Sequence, residues 1–211
     1  MKSRDTYLQQ VGLRELGFDP GPLDGDAGPK TQAARAAWES SLESAAPGSI
    51  AARIVGLARA DLGIRETEGK NHGPGIAKFW PATNYPTGYA NREPYCAAAV
   101  CYWVKEAAGS IKPAFDLPRT ATAFGFIQWA AKQEGKGVVE ISKGAVLEPG
   151  DLLVFEFSHI GIVEARCPQG KVTVQTIEAN TSPASSDNEG GGVFRRSRSR
   201  NLIRAVYRIT A

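Results

Sequence analysis

In YLQQVGLRELGF, Leu8, Val11 and Leu16 recur at near-helical intervals, so the chain opens on a short amphipathic helix. The block that follows, DPGPLDGDAGP, is a dense cluster of turn formers. KTQAARAAWESSLE then reads as an Ala-rich second helix, with Pro29 suited to a first-turn position where the missing N–H does no harm. Two such helices and a loop bury too little surface to make a large core. ESAAPGS ends the unit as a linker. The pattern divides the chain into a helical module over 1–43, a linker over 44–49 and a larger domain over 50–211.

The larger domain begins with IAARIVGLARADLGI, which places Ile50, Ile54, Leu57, Ala58 and Leu62 on one helical face. A loop rich in Gly, Pro and Asn follows, with Phe79, Trp80, Tyr85 and Tyr89 interleaved as groove or core residues. A helix from Tyr95 to Gly109 and another in ATAFGFIQWAAKQ complete the helical half. The period then changes: GVVEI, DLLVFEF, HIGIVEA, KVTVQTIEA and LIRAVYRI read as strands between Gly, Pro and Ser turns. Helices first and strands afterwards predict an α+β domain on an antiparallel sheet.

Composition narrows the function classes. With 42% apolar and 22% charged residues among 211, the chain reads as an ordinary globular protein. No apolar run approaches the roughly 18 residues of a membrane span, so no membrane insertion is expected. MKSRDTYLQQ lacks the apolar stretch of a secretion signal, so synthesis in the cytoplasm without a signal peptide is expected. Cys96, Cys101 and Cys167 are an odd set and imply no disulfide framework. His72 and His159 are the only histidines, and the cysteines lack zinc spacing, so neither metal nor cofactor is expected. The run FRRSRSRNLIR reads first as a solvated strand edge, and second as a basic rim for an anionic polymer. A net charge of only +3 argues against a nucleic-acid partner.

Cys96 is the residue with the most chemical promise. Val100, Trp103 and Ala107 follow it on one helical stripe, which faces the sheet, while Cys101 is rotated away. Pro94 sits just ahead of the helix, leaving Cys96 in the first turn, where free N–H groups favour a thiolate. Taken alone, a cysteine on an apolar face is more often inert filler. A nucleophile needs a base, and the base an orienting group. His159 opens an apolar strand after Ser158, the position of a cleft-edge imidazole. Strand alternation puts Val172, Val174, Thr176, Glu178 and Asn180 on one face, with Glu178 and Asn180 at the buried end, needing partners. The bland alternative is a strand turning polar as it leaves the core. Asp151 reads as a structural cap of the Gly150 turn, and Glu66 and Asn71 border the region without an argued role.

Two resemblances join these pieces. The first 45 or so residues resemble the bacterial peptidoglycan-binding module through Leu16-Gly17, Leu23-Asp24-Gly25, Gly28-Pro29-Lys30-Thr31 and Ala34, with Trp38-Glu39 where that family has Phe-Gln. From residue 50 the chain resembles the cysteine, histidine-dependent amidohydrolase/peptidase (CHAP) family, through YCAAAV, PGDLLVFEFSHIGIVE, IEANTS and GGGVFRRSR. Tyr95 stands where that family often has Trp. The resemblance implies a papain-like fold, Cys96 as nucleophile, His159 as base, and Glu178 and Asn180 as its orienting groups. It implies a monomeric, cofactor-free peptidoglycan hydrolase, an N-acetylmuramoyl-L-alanine amidase or a peptide endopeptidase acting through a thioester. With a wall-binding module and no signal peptide, the architecture resembles a bacteriophage endolysin. A secreted antibacterial effector and a non-catalytic wall-binding protein are the alternatives.

Overall fold

The computed structural model describes residues 3–15, 18–42, 48–182 and 191–210. Residues 44–47 of the expected linker, and Leu16, Gly17 and Gly190 of the quoted motifs, lie outside the described residues. The chain divides into two compact units, Met1–Ser44 and Ala45–Ala211.

In the first unit α1 (Arg4–Glu15) and α2 (Pro29–Leu42) are joined by the turn-rich loop. Leu13 and Ala34 supply buried apolar contact, but the loop is organised by a buried amide. The Gln10 side-chain oxygen accepts the N–H groups of Asp24 (3.1 Å) and Gly25 (2.9 Å). Its NH₂ donates to the Asp26 carbonyl (2.8 Å) and the Thr31 hydroxyl (3.0 Å), and Thr31 donates to the Pro20 carbonyl (2.9 Å). A glutamine with every polar atom paired is tolerated inside, and here it ties both helices to the loop.

In the second unit α3 (Ile50–Ala60) is capped by Ser49, whose hydroxyl accepts the Ala52 N–H (3.2 Å). A four-residue α4 (Pro74–Ala77) follows, then α5 (Cys96–Ala108) and α6 (Gly125–Ala131). Asp61, just past α3, is buried because it accepts from Trp103 Nε1 (2.9 Å) and Lys78 Nζ (2.5 Å), fixing α5 against the end of α3. The strands are β1 (Val138–Ile141), β2 (Leu152–Phe155), β3 (His159–Val163), β4 (Thr173–Thr181), β5 (Gly192–Ser199) and β6 (Ile203–Ile209). They form one sheet in the order β1-β6-β2-β3-β4-β5, with every neighbouring pair antiparallel. The unit is thus the α+β arrangement that the helix-then-strand pattern predicts.

Strand alternation gives the sheet two interiors. Leu152, Val154, Ile160, Ile162, Ile177 and Ala179 join α3 and α5 in the main core. Their alternates Leu153, Phe155, Val163 and Val174 form a smaller cluster with Ile203 and Val206 on the other face. Turn and register details correct three expectations. Val172 precedes β4 and is 72% exposed, so it does not pack inward. Asn180 does not continue the alternation: it takes a left-handed φ of 57° where the β4–β5 register shifts between Ala179 and Thr181. The arginine run is no solvated edge throughout, since Arg198 and Arg200 are buried. Arg200 is held by backbone carbonyls, including those of Ala145 (2.8 Å) and Pro168 (2.8 Å).

Candidate active site

Cys96 is the first residue of α5, so its N–H has no acceptor within the helix. The helix packs on β3 and β4 and brings the thiol near His159 at the start of β3, close enough for the two groups to influence each other's charge. His159 Nε2 donates to Glu178 Oε2 (2.9 Å), which leaves Nδ1 as the nitrogen for the thiol. Ser158, just before His159, carries a left-handed φ of 56° and aims the chain into β3. The structure therefore gathers Cys96, His159 and Glu178.

Glu178 reaches His159 across a glycine. Ile162 pairs with Ile177, so Gly161 lies opposite Glu178 in the ladder. A Cβ at Gly161 would stand 2.5 Å from Glu178 Cγ, and only glycine lets the carboxylate lean over β3. On its other side Glu178 meets Arg198, whose Nε and Nη2 donate to Oε1 (2.9 Å) and Oε2 (2.6 Å). Thr176 adds a hydroxyl donor to Oε1 (2.6 Å). The Arg198 guanidinium lies over Phe157 (5.3 Å) and Phe155 (5.7 Å), and His159 stacks on the same two rings. Sequence reasoning missed Arg198; the available signal was an arginine on an alternate position of the strand after a buried glutamate.

These contacts explain how the charges survive burial. An isolated carboxylate in such a place would cost many kcal/mol or take up a proton. Burial pushes Glu178 up, but His159 and Arg198 outweigh it and hold its pKa at about 2. Burial pulls His159 down, yet its interactions with Cys96 and then Glu178 outweigh that and push it up to about 9. Imidazolium, carboxylate and guanidinium thus alternate in sign. Cys101, five residues along α5, donates to the Thr120 carbonyl (3.3 Å), and burial pushes it up to about 12.

Asn180 joins the site through its backbone. Its N–H donates to the Tyr95 hydroxyl, which in turn donates to Glu66 Oε1 (3.1 Å). Burial, then Glu66, raise the Tyr95 pKa. Glu66 Oε2 accepts the Asn71 N–H (2.9 Å), and Asn71 Nδ2 donates to the Arg92 carbonyl (2.9 Å). Glu66 and Asn71 therefore brace the residue before Cys96. Asp151 lies apart, accepting from the Glu148 N–H (2.8 Å) and from Arg208 (2.8 Å).

A cleft of about 350 Å³ opens onto Cys96, lined by Trp80, Tyr85, Glu93, Pro94, residues 121–123 and Ser158. A larger hollow, about 530 Å³ between α6 and β1, contains none of the residues just described. Among the described residues no group of three or more His, Cys, Asp or Glu is placed to hold a metal ion, and no helix is long and apolar enough to cross a membrane.

Helices leading into an antiparallel sheet, with a cysteine at a helix start and a histidine at a strand start, make this an α+β fold consistent with the CHAP/papain-like arrangement. Residues 84–180, just under half of the chain, match the CHAP domain family, which supports a CHAP-family protein and a hydrolase of the amidase/peptidase class. The match includes Cys96, His159, Glu178 and Asn180, whereas Glu66 and Arg198 fall outside it. No curated protein and no solved structure matched the chain.

Proposed function

We propose that the protein hydrolyses an amide bond of bacterial peptidoglycan, with Cys96 as nucleophile. The observation that carries this reading is the alignment of the first residue of α5 with the His159–Glu178 pair. The Cys96 thiolate attacks the amide carbonyl, and the oxyanion accepts the free N–H at the helix start. Protonated His159 gives its Nδ1 proton to the leaving amine as the C–N bond breaks, leaving a thioester. The neutral ring then takes a proton from water, whose oxygen attacks the thioester and releases the acid and the thiolate. Glu178 keeps the ring in the right tautomer and offsets its charge; Asn180 supports the strand end beside it.

The first unit serves as a wall-binding module that raises the effective concentration of substrate near the cleft. That combination fits an endolysin released onto the wall from inside the host. The test is digestion of purified peptidoglycan by the protein and by Cys96→Ala, with the fragments read by mass spectrometry. Fragments from the unmodified protein alone are expected, and their new ends separate amidase from endopeptidase. Equal digestion by both proteins removes Cys96 from the mechanism, and sedimentation with the wall without digestion points to a binding protein.

A further inference from the structure

The cleft beside Cys96 has a sign. Apart from the Cys96 nucleophile, Glu93 alone among the lining residues carries a charge; the rest are apolar, aromatic or hydroxylic. Glu93 is exposed, and its carboxylate has no ion pair or side-chain hydrogen bond among the described residues. An exposed carboxylate in a cleft that also holds the nucleophile raises the local concentration of cations there and lowers that of anions. Two aromatic rings line the same cleft, Tyr85 exposed and Trp80 buried behind it. Trp80 and Tyr85 meet edge to face at 6.4 Å, and Tyr85 is held by Asn91 Nδ2 on its hydroxyl (2.6 Å). Glu93 is tied to this wall, because its N–H donates to the Gly88 carbonyl (3.0 Å) and the Trp80 ring lies so close to Gly88 that a Cβ there would stand 2.1 Å from it. Pro94 then restricts Glu93 to an extended backbone.

We infer that Glu93, with the exposed Tyr85 ring that Trp80 backs, forms a subsite for a protonated amine, so that the amide bond cut is one flanked by a residue bearing a free amine. Carboxylate and aromatic faces together are the two groups that attract an ammonium ion. Three extended residues span at most about 10 Å, so an amine held at Glu93 belongs to a residue next to the scissile bond. Peptidoglycan stems carry both carboxylates and amines, and Glu93 favours the latter over the former. The inference rests on the proposed hydrolase function for its substrate, but not for the charge of the site.

Two measurements on the full chain test it. Alkylation of Cys96 by 2-bromoethylammonium and by iodoacetate is compared in the unmodified protein and in Glu93→Gln. Taking the cation-to-anion rate ratio cancels changes in the thiol itself. The ratio is expected to fall roughly tenfold in the variant, the scale of an exposed charge pair assisted by aromatic faces; an unchanged ratio overturns the subsite. Purified wall is then compared with wall whose free amines have been acetylated. Faster digestion of the untreated wall, with the preference lost in Glu93→Gln, is expected. Equal digestion of both walls, or a preference that survives in Glu93→Gln, overturns the inference while leaving the hydrolase standing. Digestion by Cys96→Ala at the unmodified rate overturns the hydrolase, and the alkylation ratio still decides the charge of the cleft.

Discussion

The two faces of the sheet come from the same strands and are buried for different reasons. On the helical face Ile160, Ile162, Ile177 and Ala179 are simply apolar, and removal from water is all they need. On the other face Val163 and Val174 give way, toward the His159 end, to Thr176, Glu178 and Arg198, all buried and charged or polar. Each buried charge there depends on its neighbour's charge, so this face is conditional where the helical face is not. The lesson is that one sheet buries an unconditional apolar face against the helix that carries Cys96, and a conditional charged network on the other, and that the two should fail differently.

The largest difference is expected from truncation. Glu178→Ala leaves Arg198 and protonated His159 without their anion and should cost about 3–5 kcal/mol in urea unfolding, with activity lost as well. Ile162→Ala, on the helical face, should cost about 3 kcal/mol through its cavity, while the molecules that remain folded keep their turnover. Equal loss of turnover in both variants would erase the contrast.

A smaller effect is expected at Gly161→Ala, where the new methyl must displace Glu178 from beside His159. Overpacking of this kind costs about 1–3 kcal/mol. Turnover should fall further than that loss of folded protein explains, and the signature is a weakened His159–Glu178 hydrogen bond in the imidazole NMR resonances. Unchanged imidazole resonances would mean that Glu178 reaches His159 by another path.

The gentlest probe is pH. His159 is raised from 6.5 to about 9, so the stability it contributes is complete below pH 6.5 and lost as pH rises through about 9. Glu178 is lowered from 4.5 to about 2, so its contribution is complete above pH 4.5 and lost as pH falls through about 2. Turnover should decline along the alkaline limb near pH 9, where the ring loses the proton meant for the leaving amine. The Ile162→Ala variant should show the same limb, because Ile162 is apolar and its truncation removes none of the charged partners of His159. A limb that moves with Ile162→Ala would tie the two faces together.

Much of the fold follows from periodicity in the chain. The stripe through Cys96, Val100 and Trp103, and the apolar alternation in β2 and β3, are local patterns that burial alone enforces. What escaped is non-local. Nothing near Arg198 says that β5 will set it beside Glu178, twenty residues earlier, so FRRSRSR reads as an edge. Gly161 is a small residue in a strand until the register places Glu178 over it. The kink at Asn180 has a faint local signal, since Asn accepts the left-handed region more readily than most residues. Its partner, the Tyr95 hydroxyl, comes from a helix start more than eighty residues away.

The most direct test asks which thiol is the reactive one. Iodoacetamide is applied to the folded protein, and the modified cysteine is found by peptide mapping while peptidoglycan digestion is followed in parallel. Cys96 should be alkylated first, at the rate at which activity disappears and more slowly in His159→Ala, with Cys101 and Cys167 protected. Labelling of Cys101 or Cys167 at the same rate, or full activity after Cys96 is modified, would contradict the account.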